Sequence, residues 1–215
     1  MAYLLRLVVP DRPGMLGAVA TALGEAEADI VSLDVVERGP DGAVDDLVVE
    51  LPSGALVDRL ITAAQSVPGV IVESLRPYTG AADLHGDLEL MEALAAAPSD
   101  ALDVFVAGAP GVFRAGWAVL VDDGGVIAAS RGAPEVRDLS LRDVPQARRI
   151  AAGETWVPQQ WQLLATELAA APVGSPQRVV LLGRPGGPTF RASEVLRLGH
   201  LAGITATVAA VTAAV

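Results

Sequence analysis

Apolar side chains in the first 80 residues change between the period of a strand and the period of a helix. From residue 3 to residue 9 every second side chain is apolar on one face, which predicts a β-strand. Leu16, Val19 and Leu23 then recur three and four positions apart, which predicts an amphipathic helix. Residues 10–14, Pro-Asp-Arg-Pro-Gly, join the two elements and interrupt both periods.

The same change of period continues to residue 76. Residues 30–37 and 43–51 predict the two strands of a hairpin around a Gly-Pro-Asp-Gly turn. A helical pattern over residues 56–67 ends at a Pro-Gly pair, and residues 70–76 predict a fourth strand. The order βαββαβ is that of a ferredoxin-like unit, in which two helices cover one face of a four-stranded antiparallel sheet.

The loop at residues 10–14 is the best candidate ligand site in the sequence. Gly14 permits a tight turn, and the first-turn amides of the helix after it have no partner within the helix. An anion such as a carboxylate could dock there. The alternative interpretation is purely structural, with Asp11 and Pro13 making a turn and Asp29 ending a helix.

Three short segments in this unit resemble the ACT domain. They are Asp-Arg-Pro-Gly at 11–14, Glu-Ala-Asp-Ile at 27–30 and Val-Pro-Gly-Val at 67–70, and the resemblance covers residues 3–78. It implies a regulatory module that binds an amino acid or a similar small effector. It also implies that the ligand lies at an interface between two modules whose sheets join edge to edge.

The resemblance places the ligand contacts in the first loop and at the start of the second strand, on Asp11, Arg12, Pro13, Gly14, Met15, Leu16, Asp29 and Ile30. Position 29 departs from the pattern, because amino-acid-binding members commonly carry Asn there. An ionised Asp only accepts hydrogen bonds, so the two acidic contacts, Asp11 and Asp29, favour an amine on the ligand. The ligand carboxylate would then depend on the helix amides and on Arg12.

A second domain is predicted at residues 84–215, after a small-residue linker at 79–83, so that the first domain comprises residues 1–79. Hairpin strands are predicted at 117–121 and 126–130, further strands at 161–170 and 178–182, and a short helix at 145–152. With a long terminal helix, this predicts a central sheet of at least four strands flanked by helices.

The hairpin turn at 122–125 and the segment 179–194 resemble parts of a GAF domain, over residues 84–213. That resemblance implies a six-stranded antiparallel sheet that binds small molecules in some members and is a dimerising scaffold in others. The whole chain is therefore expected to be an α+β protein, with a ferredoxin-like ACT domain followed by a GAF-like domain.

Other candidate groups receive structural interpretations. Asp45-Asp46 and Asp122-Asp123 lie in or beside predicted hairpins, which indicates solvated turns and edges. Residues 183–188, Gly-Arg-Pro-Gly-Gly-Pro, lack the Lys and Ser/Thr of a phosphate loop and are interpreted as a turn.

Arg148, Arg149 and Glu154 lie close in sequence to Trp156 and Trp161. Together they could line a pocket with a cation and aromatic walls. Trp residues of this kind more often belong to a core or an interface.

Composition excludes several classes of function. A net charge of −11 without a basic cluster argues against a nucleic-acid surface. The chain has no Cys, and its two His residues are far apart, so we expect no metal and no cofactor. Residues 201–215 are apolar but shorter than the roughly 20 residues that cross a bilayer. We therefore expect no membrane association and a cytoplasmic location.

These observations predict a non-catalytic regulatory protein that binds an amino acid or a similar small effector through its ACT-like domain. The last helix is apolar over a wide face, which predicts a homodimer, and regulation would require a downstream protein that the sequence does not identify. The alternative is a ligand-free dimerisation or adaptor protein with vestigial binding sites. An enzyme is a third class, which no pairing of nucleophile and base in the sequence supports.

Overall fold

The computed structural model describes residues 1–40, 42–78, 86–123, 125–135, 139, 144–151 and 153–213. The predicted linker at 79–83, Asp41 and Gly124 of the predicted turns, and His85 lie outside these residues. The chain divides into two compact units, Met1–Leu84 and His85–Val215. Each unit contains one antiparallel sheet with helices, so the expected α+β class is confirmed.

Unit 1 has the predicted ferredoxin-like order of elements. They are β1 (Ala2–Val9), α1 (Met15–Glu25), β2 (Asp29–Gly39), β3 (Gly42–Glu50), α2 (Asp58–Gln65) and β4 (Ile71–Pro77). The strands are ordered β2-β3-β1-β4, so β2 and β4 are the edges of the sheet. Leu5 and Leu7 of β1 pack with Val19 and Leu23 of α1 and with Leu60 of α2 in one core. Val19, Leu23 and Leu60 therefore face the sheet as their spacing predicted, whereas Leu56 precedes α2 and is 68% exposed.

Asp45 and Asp46 are buried, with 1% and 0% of their surfaces exposed, so the prediction that they are solvated is wrong. Consecutive strand residues point to opposite faces of a sheet. Asp45 therefore shares the face of Leu47, which packs in the helix-side core, and Asp46 lies on the other face. There Arg6 donates from Nε to Oδ1 of Asp46 and from Nη2 to Oδ2, both at 2.7 Å.

Unit 2 contains five strands, four α-helices and one 3₁₀ helix (Pro98–Asp100) in its described residues. They are α3 (Gly86–Ala96), α4 (Ala101–Val112), β5 (Trp117–Asp122), β6 (Gly125–Ala129), β7 (Arg148–Ile150), α5 (Gln159–Leu163), β8 (Thr166–Pro172), β9 (Val179–Pro185) and α6 (Ala192–Ala213). The strands are ordered β6-β5-β9-β8-β7. These five strands are one fewer than the GAF resemblance implies.

Two local predictions in unit 2 are wrong. Residues 148–150 are strand rather than helix, because they pair with β8 from Arg148 opposite Ala170 to Ile150 opposite Leu168. The predicted strand at 161–170 is divided between α5 and β8. Trp161 is in the helical part because its ring packs on Trp117, with 4.8 Å between the ring centroids.

Two cores lie on the two faces of the second sheet. Helices α3, α4 and α6 cover one face, where Phe105, Phe113 and Leu198 are fully buried. The other face carries a smaller cluster that includes Trp117 and Trp161. A side chain at position 183 would overlap the Trp117 indole, so this close approach requires glycine.

A buried arginine holds the end of β9 to the start of α6. Arg184 donates to Oε1 of Glu194 at 2.7 Å and to the carbonyl oxygens of Phe113 and Pro188 at 2.6 and 2.9 Å. Its guanidinium also lies 3.9 Å from the centroid of the Phe190 ring. The segment 183–188 is thus the end of a strand followed by a turn, which agrees with its structural interpretation.

Helix α6 is longer than the apolar tail that the sequence suggested. The part Ala192–Val211 is long and apolar enough to cross a membrane by length and composition alone, a test that core helices also pass. Leu198, Leu201 and Ala202 of this helix are buried in the core of unit 2. Packing in that core therefore explains part of its apolar character, since Leu196, Ile204 and Val211 are exposed.

Candidate functional site

The loop between β1 and α1 adopts a conformation that depends on Gly14. Gly14 has a φ of +89°, in the left-handed region, and it precedes the first residue of α1 without a side chain to cap the helix. Upstream, the amide of Arg12 donates to the carbonyl of Pro10 at 2.8 Å. The sequence interpretation of Gly14 as the pivot of this turn agrees with that geometry.

The start of α1 has the properties of an anion-binding helix terminus. The helix has 11 residues, no acidic residue in its first turn and no side-chain hydrogen bond at its cap. The amides of Leu16 and Gly17 lie in this first turn, where no helical carbonyl is available to them. The positive end of the helix dipole adds to their attraction for a negative group.

A cavity of about 340 Å³ opens at this helix terminus. All six predicted contacts of the first loop line it, together with residues from the ends of β1, β2 and β3. The lining residues are Val9, Pro10, Asp11, Arg12, Pro13, Gly14, Met15, Leu16, Gly17, Val35, Arg38, Ala43 and Asp45. Its volume is at the lower end of the range for small-molecule sites.

A β-bulge gives the cavity its wall from β2. Val35 pairs with Asp45 and Arg38 pairs with Ala43, and the register shifts between Val35 and Glu37. In a regular strand, side chains three positions apart would point to opposite faces. The extra residue at the bulge brings Val35 and Arg38 to the same face, so both reach the cavity.

Asp45 and Arg38 are the charged cavity residues that the sequence interpretation missed, and Asp45 is the buried one. Its Oδ1 atom is buried and has no hydrogen-bond partner. Burial raises the pKa of the Asp45 carboxyl; Arg38 opposes this increase, whereas Asp46, Asp11 and Asp34 add to it. The signal available in the sequence was the position of Asp45 on the core-facing side of an otherwise apolar strand.

Asp29 and Ile30 do not line this cavity. They begin β2 at the opposite end of the sheet, where Asp29 pairs with Glu50 and Glu50 pairs with Ala2. The cavity lies at the other end of β1, beside Val9. Within one chain, the structure therefore brings the six loop residues together and leaves these two predicted contacts apart.

The polar cluster of unit 2 is internally paired. Arg148 donates to both carboxylate oxygens of Glu154, at 2.7 and 3.0 Å, and Nε1 of Trp156 donates to Oε2 at 2.8 Å. The hydrogen bonds from Arg148 are the main reason that the pKa of Glu154 falls to about 2. Trp161 is a buried core residue, as the structural interpretation expected.

No group of three or more His, Cys, Asp or Glu residues in the described part of the chain could hold a metal ion. Among the described residues that line the cavity, the charged ones are Asp11, Asp45, Arg12 and Arg38, and the first-turn amides of α1 lie beside them. This set can bind a small charged molecule through hydrogen bonds and ion pairs.

Unit 1 therefore has a ferredoxin-like fold with a cavity beside the start of α1. Residues 3–69 match the family model of the ACT domain, so the ACT assignment of unit 1 is confirmed. The rest of the chain lies outside that match, and the GAF-like assignment of unit 2 stays a prediction. No curated protein sequence matches the chain at a significant level.

Two solved structures share limited similarity with the chain. One is a formyltetrahydrofolate deformylase from Pseudomonas putida KT2440, with 11% identity, a TM-score of 0.30 and coverage of 45% of this chain and 38% of the deformylase chain. The other is an unknown protein from Galdieria sulphuraria, with 13% identity, a TM-score of 0.32 and coverage of 93% and 90%. At these TM-scores, neither similarity bears on function.

Proposed function

We propose that this chain is a non-catalytic regulatory protein whose ACT unit binds an amino acid or a similar small effector. The observation that carries the proposal is the cavity at the start of α1, where the whole predicted loop meets an uncapped helix terminus. The first-turn amides of Leu16 and Gly17 would bind the carboxylate of the effector. Arg12 and Arg38, which also line the cavity, would add positive charge near that carboxylate.

The side chains at the cavity favour binding over catalysis. None of the described residues that line it is Ser, Thr, Tyr, His or Lys, the usual nucleophiles and general bases apart from carboxylates. Asp11 and Asp45 are the acidic groups, and neither contacts a nucleophile there. Ligand-dependent regulation requires only that the effector bind one arrangement of the protein better than another. Couplings of about 1–3 kcal/mol are typical of such switches.

We propose that the arrangement to which the effector binds better is a dimer with a second copy of the chain. Strand β2 is a sheet edge, and Val31 on this strand is 46% exposed, which suits the edge-to-edge pairing that the ACT resemblance implies. Helix α6 also exposes Leu196 and Val211. The second copy would supply Asp29 and Ile30 at the site, and the GAF-like unit would present the change to a downstream protein in the cytoplasm.

A thermal-shift screen tests this function. The full chain is heated with each of the twenty amino acids and with common nucleotides, at millimolar concentrations. A compound present at 100 times its Kd stabilises the folded protein by about 2.7 kcal/mol. We expect one or a few amino acids to raise Tm, whereas a shift with none of the compounds would favour the ligand-free adaptor.

A matched pair of variants locates the binding. Val35→Trp places a large side chain at the cavity, on a residue that is 38% exposed and therefore has room on its outer side. Leu56→Trp places the same side chain at a position that is 68% exposed and outside the cavity lining. We expect Val35→Trp to abolish the thermal shift and Leu56→Trp to retain it. Equal effects would show that the effector binds elsewhere.

A further inference from the structure

Asp45 and its neighbour Asp46 are equally buried but differ in their partners. Asp46 receives two hydrogen bonds from Arg6, whereas Oδ1 of Asp45 receives none. A buried carboxylate without a partner is unfavourable in the folded protein. Such a group in a native structure calls for an explanation, and a functional site is one explanation.

We infer that Asp45 binds the amino group of the effector and makes this cavity selective for zwitterions. The inference rests on the proposed function and names the ligand group that is recognised by the β3 wall, the side of the cavity formed by Ala43 and Asp45. Asp45 lines the cavity and is 1% exposed, so a cation that reaches it would be largely withdrawn from water. Oδ1 is buried, so the carboxyl would turn towards the cavity to meet an ammonium group, whose three donors can supply the hydrogen bond that Oδ1 lacks.

The two walls of the cavity have opposite polarity. The loop wall presents the amides of Leu16 and Gly17 at the positive end of α1, whereas the β3 wall presents the Asp45 carboxylate. A small molecule with one carboxylate and one ammonium satisfies both walls. A carboxylic acid without an amino group leaves Asp45 unpartnered and is repelled by its charge.

Arg38, the cation that acts on Asp45, does not replace the ligand. Arg38 faces the cavity and is exposed, and its attraction is outweighed by burial in setting the pKa of Asp45. Asp11, Asp34 and Asp46 add negative potential at the same place. The surroundings of Asp45 therefore favour a ligand cation, with Asp11 as a second, solvated acidic group at the same cavity.

Calorimetric titration with matched compounds tests the inference. Each pair consists of an amino acid and the acid that lacks its amino group: L-alanine and propionate, L-valine and 3-methylbutanoate, L-phenylalanine and 3-phenylpropanoate, and L-aspartate and succinate. The quantity measured is the ratio of the two Kd values in a pair. For the wild-type chain we expect at least one pair to favour the amino acid tenfold or more.

Asp45→Asn should remove that preference, because the amide has no charge to attract an ammonium group. The amino acid should bind at least tenfold more weakly, and the deaminated acid should bind as tightly as before or more tightly. Asp58→Asn is the control, because it makes the same change at an exposed residue in the first turn of α2, outside the cavity lining. It should leave the ratio unchanged. Urea unfolding of each variant verifies that it is folded.

Two results would overturn the inference while the proposed function stands. The first is that the wild-type chain binds acids without an amino group as tightly as it binds amino acids. The second is that Asp45→Asn retains the wild-type ratio of Kd values. If Asp29→Asn removed the preference instead, the amine partner would be Asp29 from a second copy. If neither these eight compounds nor the screened amino acids bound the wild-type chain, the proposed function would fail together with the inference.

Discussion

The same substitution at two adjacent positions of β3 should change stability in opposite directions. Asp46→Asn weakens a buried ion pair and leaves the Arg6 guanidinium without its full counter-charge. Breaking one side of a buried pair costs about 3–5 kcal/mol. Asp45→Asn instead removes a buried charge that has no hydrogen-bond partner at Oδ1. The amide that replaces it also lacks a partner at this position, so only the cost of burying the charge is relieved, which we expect to be worth about 1–3 kcal/mol.

The gain at position 45 should depend on pH. The pKa of Asp45 in the folded protein lies above its ordinary value of 3.8, so folding favours the protonated form. At low pH the Asp45 carboxyl is protonated in both the folded and the unfolded protein, so it does not destabilise the folded protein relative to Asn at this position. As the pH rises through the folded-state pKa, the ionised form becomes increasingly unfavourable in the folded state. The advantage of Asp45→Asn should therefore be present at pH 7.5 and diminish towards pH 4.

Urea unfolding of the ligand-free chain, followed by circular dichroism between pH 4 and pH 7.5, measures both effects. For a unit of this size, each kcal/mol corresponds to a change in Tm of roughly 4–8 °C, so thermal melts give an independent estimate. If Asp45→Asn lowered stability at pH 7.5 by 1 kcal/mol or more, Asp45 would hold a stabilising contact in the free protein. The argument that its carboxylate awaits a ligand would then be refuted.

Two further predictions concern unit 2. Arg184→Met should destabilise unit 2 by about 3–5 kcal/mol, because Glu194 would remain buried without the Arg184 guanidinium. Adding Glu194→Gln to this variant should recover part of the lost stability in urea unfolding. No recovery would contradict the pairing. Glu154→Gln should cost less than about 1 kcal/mol at neutral pH, because the pair with Arg148 is partly exposed. Since the pKa of Glu154 is lowered to about 2, the wild-type advantage should be full above pH 4.5 and decline as the pH falls towards 2. An advantage that increased on acidification would contradict this assignment.

Local sequence patterns were sufficient to predict those parts of the structure that depend on residues close together in the sequence. The alternation over residues 3–9 and the helical spacing of Leu16, Val19 and Leu23 gave the elements of unit 1, because periodicity records which face is covered. The loop at 11–16 was also accessible, since Gly14 sets the turn and the helix start by itself. Residues 161–170 were misassigned because the contact of Trp161 with Trp117 joins distant parts of the chain.

The amino-acid sequence by itself determined the order of elements in unit 1, the position of its loop site and the acidic charge of the chain. Only the tertiary structure decided which charged residues are buried and what they face. Asp45 and Asp46 look alike in sequence, but the pleat sends one into the cavity wall and the other to Arg6. The bulge at β2 likewise brings Arg38 to that cavity, and strand register separates Asp29 from it. These outcomes depend on contacts between strands, whose partners no local pattern specifies.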